Sequence, residues 1–284
     1  VDLSICIASF NTREALERTL RAAISDCSGM RAEWIVVDNA SGDGSVEMVR
    51  REFPRVTLIE NAANRFFAVA ANQAIARSMG RYVLTLNSDA EVFPGTLPAL
   101  VEYLDRHSDV GAVTTQMVRP DGRLQRTCAR FPSYPLLLLD YTFLGLLLLG
   151  RRRRLRRWAW YADWDRKTER EVEVAPGSFI LARQAVLRSV GAYDERLRLY
   201  FTDDDWCQRL QRAGFELMYS PLGRVIHAEG SSSRQIRPLA RRIYFEDLRS
   251  YTAKYFGDRR AGWLGFLSAP TRWGMDVTAA LRGH

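Results

Sequence analysis

The sequence lacks the residues that staple small secreted or metal-bound folds. Its four cysteines, Cys6, Cys27, Cys128 and Cys207, include no Cys-x-x-Cys pair. That pattern excludes a disulfide framework or a cysteine zinc site and fits a reducing compartment. Histidine is equally scarce, with three in 284 residues. Leu136–Leu149 is strongly apolar, but it carries Asp140 and falls short of the roughly 20 residues a membrane-spanning helix needs. There is no internal repeat and no low-complexity linker. The chain opens directly on a strand-like segment, so no signal peptide is expected within the residues shown. It also has no initiating Met, so some residues ahead of Val1 are expected to be missing here.

What is present is an ordinary globular composition, 47% hydrophobic and 26% charged, enough for a sizeable core. The net charge of +8 and pI near 9.6 imply an anionic partner. The excess is local, because six arginines crowd into Arg151–Arg157, interrupted only by Leu155. One dense cluster is better explained by an anionic membrane surface than by nucleic acid.

Along the first hundred residues, short apolar runs alternate with helical periodicity. Leu3–Ala8, Trp34–Val37, Val56–Glu60 and Tyr82–Leu86 are predicted strands, too short and too continuous for helices. Between them lie helices predicted over Arg13–Ile24, capped by Asn11 or Thr12, and over Phe67–Ser78, closed by Gly80, with a short one ending near Pro54. Strands alternating with helices imply a parallel sheet, whose ligands gather at the carboxyl ends of the strands. Asn11, Asp38 and Asp89 all fall at such ends. Further on, a helix over Thr96–Arg106, a strand over Val110–Gln116 and a turn at Pro120-Asp121-Gly122 are expected. Then come a strand over Ser178–Arg183, helices over Gln184–Val190 and Asp204–Ala213, strands Glu216–Tyr219 and Arg224–His227, and a helix over Pro238–Tyr255. The stretch of about 133–170 departs from this pattern.

Asn87-Ser88-Asp89 follows a buried-type strand, so Asp89 stands at the mouth of the sheet, where a carboxylate can hold Mg²⁺ or Mn²⁺. Taken alone, the triplet reads sooner as a strand-end turn than as a metal site, since all three residues suit turns. Its neighbours decide. The succession Ile5-Cys6-Ile7-Ala8-Ser9-Phe10-Asn11, Ile35–Ser45, Asn61–Asn72 and Leu84–Asp89 resembles the donor half of family-2 GT-A glycosyltransferases, in the bacterial rhamnosyltransferase-like branch. The resemblance continues through Gly177–Leu181, Gly191–Glu195, Tyr200–Arg209 and His227–Ser232, covering about residues 3–232 outside the insertion.

That resemblance implies an α/β GT-A (Rossmann-like) fold, a mixed and mostly parallel sheet flanked by helices. The catalytic domain would span 1–235 with an apolar and basic insertion at about 133–170, followed by a helical C-terminal extension over 236–284. It implies an inverting transfer of a sugar, such as rhamnose, from a dTDP- or UDP-sugar to a hydroxyl of a saccharide or polyprenyl-diphosphate-linked acceptor, in bacterial cell-surface polysaccharide synthesis. A divalent cation, Mg²⁺ or Mn²⁺, would neutralise the leaving diphosphate, and one carboxylate would take the acceptor's proton. By the same analogy Ser9, Phe10 and Asn11 line the nucleotide pocket, and Asp38 accepts a hydrogen bond from the pyrimidine base. Arg65, Asn72, Asn87 and Ser88 are donor contacts, and Asp89 binds the metal with His227 as a second ligand. Taken alone, a strand-end histidine is more often structural.

Aligning Tyr200-Phe201 and Trp206-Cys207 on the family pattern puts Asp203 at the base and Thr202 where Glu is usual. Asp205 and Arg209, four apart, can pair on one helix face and leave Asp203 free to face a ligand, with Asp204 a candidate helix cap. The plain alternative is three acids stabilising a helix N-terminus. Phe66 also departs from the pattern, where Gly is common. Thr202 and Phe66 keep open a non-catalytic, membrane-associated nucleotide-sugar-binding protein. A nucleotidyltransferase is the other alternative, although Ser9-Phe10-Asn11-Thr12 is not the Gly-rich basic loop it would show. Finally, Leu136–Leu149, the arginine block and Trp158, Trp160, Tyr161 and Trp164 resemble an interfacial anchor, and the tail adds Trp263, Leu264, Phe266, Leu267 and Trp273 among arginines. A helix packed on the domain or a dimer contact is the alternative. A cytoplasmic protein, peripheral on the inner face of the plasma membrane, is expected.

Overall fold

The four N-terminal apolar runs become parallel strands: β1 (Leu3–Ser9), β2 (Ala32–Asp38), β3 (Thr57–Glu60) and β4 (Tyr82–Asn87). Helices α1 (Arg13–Asp26), α2 (Ser45–Glu52) and α3 (Phe66–Arg77) connect them. The computed structural model describes residues 1–228 and 233–281. Positions 229–232, the end of the resembling stretch and including Gly230, lie outside the described residues.

Alternation along these strands divides the core between two faces. Leu3, Ile5, Ile7, Leu84 and Leu86 pack with Leu16 and Leu20 of α1 on one side. Cys6, Ile35, Val37 and Val83 meet the alanines of α3 (Ala68, Ala71 and Ala74) on the other. All four cysteines are buried free thiols. Register is what aligns the site: Ser9 pairs with Asp38, and Ala8 with Asn87. A slip of one residue would turn each strand's apolar set to the wrong face.

The second half completes a nine-stranded mixed sheet in the order β3-β2-β1-β4-β8-β6-β9-β5, with β7 paired to β9. Its elements are β5 (Ala90–Val92), α4 (Thr96–Arg106), β6 (Val110–Val118), β7 (Arg170–Glu171), β8 (Phe179–Arg183), α8 (Gln184–Val190), α9 (Thr202–Arg212) and β9 (Glu216–His227). β8 runs antiparallel between β4 and β6, while β9 is parallel to β6.

Three details differ from the sequence expectation. The two strands expected over 216–227 are one, broken by a bulge where Thr115 pairs Ser220 but Gln116 pairs Arg224. Thr115 Oγ1 bonds the Ser220 and Gly223 carbonyls across that bulge. Gly80 does not close α3, which ends at Arg77. Gly80 is required instead by close approach, since a Cβ there would stand 2.6 Å from the Ser4 amide nitrogen. The short strand β5 was not anticipated at all.

The insertion forms α5 (Tyr134–Tyr141), α6 (Leu144–Leu147) and α7 (Leu149–Ala159), and the tail forms α10 (Arg237–Phe256) and α11 (Asp258–Leu281). Insertion and tail meet: Leu137, Leu197, Phe201, Leu248, Tyr251 and Leu264 form a third apolar cluster, and the Tyr134 hydroxyl donates to the Arg260 carbonyl. Helices α10 and α11 thus share a core with the loop leading into α9. Asp247 of α10 fixes that loop, its buried Oδ2 accepting the Leu199 and Tyr200 amides at 2.9 and 3.0 Å.

Asp247→Ala should therefore lower stability by about 1–3 kcal/mol, because two amides lose their acceptor. The check is the urea midpoint at unchanged slope. Asp247→Asn, which retains an acceptor oxygen, should lose less.

Candidate functional site

The carboxyl ends of β1, β2 and β4 are tied together before any ligand arrives. Asn11, at a left-handed φ of 50°, accepts the Gly42 amide at 2.7 Å and donates its own amide to Ser41. Asp43 accepts the Arg13 amide at 2.8 Å. It therefore serves the start of α1 in place of the expected Asn11 or Thr12 side chain, for which no capping bond forms. Thr12 instead donates to Ser88 at 2.9 Å and lies 3.1 Å from Ser9 Oγ. The first and second strand-end loops are thus clamped to each other and to the Asn87-Ser88-Asp89 turn.

Asp38 is nearly inaccessible, at 3% exposure. One of its oxygens accepts the Ser41 amide at 2.8 Å; the other, Oδ2, is buried with no hydrogen-bond partner. A buried unpaired carboxylate oxygen is costly unless a donor meets it in the working state.

A cleft of about 430 Å³ opens over these ends and brings together Ser9, Phe10, Asn87, Ser88, Asp89, Asp203 and His227. Other expected residues stand elsewhere. Asn11 fastens loops, Asp38 is buried and does not line the cleft, and Arg65 is an exposed N-cap of α3. Asn72 is held by the Tyr193 backbone, accepting its amide and donating to its carbonyl, both at 2.9 Å. Phe66 does line the cleft, with φ of 62°. That left-handed conformation costs a residue with Cβ roughly 1–2 kcal/mol, which is the physical reason a glycine suits the position. The Arg198 guanidinium lies over the Phe66 ring at 5.6 Å.

Asp89 and His227 meet because β5 pairs antiparallel with β9, placing Ala90 opposite His227. The Ala228 amide then donates to the Asp89 carbonyl at 3.2 Å. Asp89 Oδ1 and His227 Nε2 are 3.6 Å apart, and both side chains are largely buried. Gln125 orients the ring: its Nε2 donates to the His227 carbonyl at 2.8 Å, and its Oε1 faces His227 Nδ1 at 3.3 Å. With the proton on Nδ1, the lone pair of Nε2 points toward Asp89 and Asn87, the arrangement a ligating imidazole requires. Among the described residues no cluster of three or more His, Cys, Asp or Glu side chains is built for a metal. An ion bound here would need oxygens from its substrate, as Mg²⁺ commonly does.

The three acids of α9 take three different roles. Asp205 is fully buried and pairs with Arg209 at 2.9 Å, as the spacing predicted, and also with Lys254 and Tyr255. The N-cap position of α9 falls on Phe201, not on Asp204, and Asp204 lines a second cleft. Asp203 faces the first cleft, held by the Gly177 amide at 3.0 Å. Burial pushes the Asp203 carboxyl above its usual range, against the pull of that amide, and burial together with Asp203 raises Asp204 further. A raised carboxylate is the better proton acceptor near neutral pH. The helix enters through Phe201 at φ 59°, stacked on Tyr251 at 5.2 Å.

The second cleft, about 870 Å³, shares Pro176, Ser178, Leu199, Tyr200, Asp203 and His227 with the first. Gln125, Gly177 and Asp247 act here without having been singled out. Gly177 lay within a recognised motif, but Gln125 gave no signal, since its partner stands 102 positions away.

The chain is 27% identical over 293 residues to the N-acetylglucosaminyl-diphospho-decaprenol L-rhamnosyltransferase of Mycobacterium tuberculosis, covering 99% of this chain and 92% of that one. Among solved structures it resembles the mannosyltransferase PcManGT from Pyrobaculum calidifontis in complex with GDP-Man and Mn²⁺, at TM-score 0.60 and 18% identity, covering 99% and 76% of the two chains. It also resembles GalNAc-T7 with UDP, GalNAc and Mn²⁺, at TM-score 0.57 and 16% identity, covering 80% and 44%. Residues 4–191, from the first strand through α8, match the model described as glycosyl transferase family 2, and the chain belongs to that family.

Proposed function

We propose that this glycosyltransferase moves a sugar with inversion from a nucleoside-diphosphate donor to a hydroxyl of a lipid-linked saccharide. The observation that carries the proposal is the convergence of Asp89, His227 and Asp203 on one cleft. Asp38 pairs in register with the cleft-lining Ser9 and carries an unpaired oxygen suited to an imide N–H of a pyrimidine base. Asp89 and His227 would hold Mg²⁺ or Mn²⁺ together with diphosphate oxygens, and the ion supplies charge neutralisation of the leaving group. Asp203 takes the proton of the acceptor hydroxyl as that oxygen attacks the anomeric carbon. The C–O bond to the diphosphate breaks on the opposite face. Among the described residues lining this cleft the only carboxylates are Asp89, given to the metal, and Asp203, given to the proton. One base without a separate nucleophile suits a single displacement.

Rhamnose from a dTDP- or UDP-donor is the favoured sugar, supported by the name of the mycobacterial relative. That name also supports a polyprenyl-diphosphate acceptor and a place in bacterial cell-surface polysaccharide synthesis. A peripheral position on the inner face of the plasma membrane goes with it. No helix among the described residues is long and apolar enough to cross a membrane. Leu146, Leu147, Trp158 and Trp160 of the insertion and Trp263, Phe266 and Trp273 of α11 are exposed, whereas Tyr161, Trp164 and Leu264, expected in the same anchor, are buried in the apolar core instead. Asp140, the acid that interrupts the apolar run, is buried under Arg152 and Arg156 at 2.9 and 2.7 Å. Arg151, Arg153 and Arg154 are left exposed for an anionic surface.

Asp203→Asn should lower metal-dependent release of nucleoside diphosphate about 10²–10⁴-fold while donor affinity stays within a few-fold; full activity would refute the base assignment. Asp89→Ala should abolish the Mn²⁺ dependence of UDP and dTDP binding measured by calorimetry, and unchanged dependence would remove Asp89 from the metal. Replacing Arg151, Arg153 and Arg154 by Ser should weaken sedimentation with phosphatidylserine liposomes by well over tenfold, at ~1 kcal/mol for each basic residue. Unaltered sedimentation would count against the membrane contact.

A further inference from the structure

The second cleft has a charge pattern that the chemistry of the first does not use. Arg119, Arg123, Arg126, Arg130 and Arg156 all line it, against Asp140, Asp203 and Asp204. The acids are not placed to neutralise these arginines evenly. Asp140 is already shared between Arg152 and Arg156. Asp203 and Asp204 belong to α9, where the two clefts meet, and burial pushes both carboxyls up.

Two of the arginines have no anionic partner among the described residues. Arg126 is exposed and makes neither an ion pair nor a hydrogen bond there. Arg130 is half-buried, its guanidinium packed over the rings of Trp158 and Tyr161 at 4.7 and 4.9 Å. Its Nε is buried with no hydrogen-bond partner. The two aromatic faces hold the cationic group in place and accept no conventional hydrogen bond from Nε. A buried donor left without an acceptor is costly, and a planar guanidinium with open donors matches phosphate oxygens. The same cleft carries an apolar wall, Leu136, Leu137, Tyr141 and Trp160, on the side of the exposed leucines of the insertion.

We infer that this second cleft is the acceptor subsite and that Arg126 and Arg130 bind a diphosphate. The leucine and aromatic wall takes the first carbons of the lipid attached to it. The inference rests on the glycosyltransferase reading of the adjoining cleft. It also orients the acceptor: diphosphate at the arginines, sugar hydroxyl toward Asp203, lipid leaving past α5 and α7. Arg130 links the site to the membrane-facing segment, because the ring it lies over, Trp158, belongs to α7 beside the arginine block.

The test uses the full chain with Mn²⁺ and saturating UDP or dTDP, and geranyl diphosphate as probe, followed by calorimetry. Geranyl diphosphate should bind without displacing the nucleotide. Arg126→Ser and Arg130→Gln should each weaken it at least tenfold while nucleotide affinity is unchanged. Arg126 is exposed, so its variant tests the proposal even if Arg130→Gln folds poorly. Inorganic pyrophosphate should bind more weakly than geranyl diphosphate, and equal affinity would overturn the lipid wall. Competition with the nucleotide, or undiminished geranyl diphosphate binding in the variants, would overturn the subsite itself. Failure of both UDP and dTDP to bind would instead overturn the glycosyltransferase reading beneath it.

Discussion

The pairing of β5 with β9 is the constraint on which the site depends. Three residues of edge strand place Ala90 opposite His227. They thereby bring the acid that ends one parallel βα unit against an imidazole from the last strand of the sheet. Without that pairing Asp89 would be one carboxylate at a strand end, able to make a turn and little more. With it, a carboxylate and an imidazole share one small volume, and the Gln125 amide holds the imidazole by both its ring nitrogen and its backbone carbonyl.

Around this pair the fold places groups of opposite demand. The floor is rigid, because the strand-end loops bind one another through Asn11, Ser41, Asp43, Thr12 and Ser88. The wall that carries Asp203 is built from long-range packing, with Asp247 and Tyr251 of α10 fixing the loop before α9. Several residues with side chains take left-handed backbone beside the cleft, Asn11, Phe66 and Phe201 among them. Such strain persists only where surrounding contacts over-determine it. Here the contacts are visible: Gly42 and Ser41 at Asn11, Arg198 at Phe66, Tyr251 at Phe201.

The two clefts divide the chemistry by charge. The first combines Asp89 with His227 at the carboxyl ends of the parallel strands, which suits the metal-bound nucleotide proposed above. The second is rich in arginine at its lining and apolar along one wall, which suits an anion on a hydrocarbon chain. They share Asp203 and His227, so under the proposed function a nucleophile entering from one side would meet an electrophile held on the other.

Local chemistry in the sequence determined a good deal. Strand and helix alternation, the acids at strand ends and the Asp205–Arg209 pair were all legible, because each depends on neighbours within one or two turns or on a repeating period. The motif order through Asp203 carried the family. What tertiary structure alone decided was company. β5 is too short to show a period, and Gln125 has no meaning until β9 brings His227 beside it. Asn72 looks like any exposed amide until Tyr193 binds it from a distant loop. Asp140 looked like a flaw in an apolar run until α7 turned two arginines onto it. The metal-binding reading of Asn87-Ser88-Asp89 has the same dependence: its residues suit a turn equally well, and only the long-range strand pairing sets an imidazole 3.6 Å from its acid.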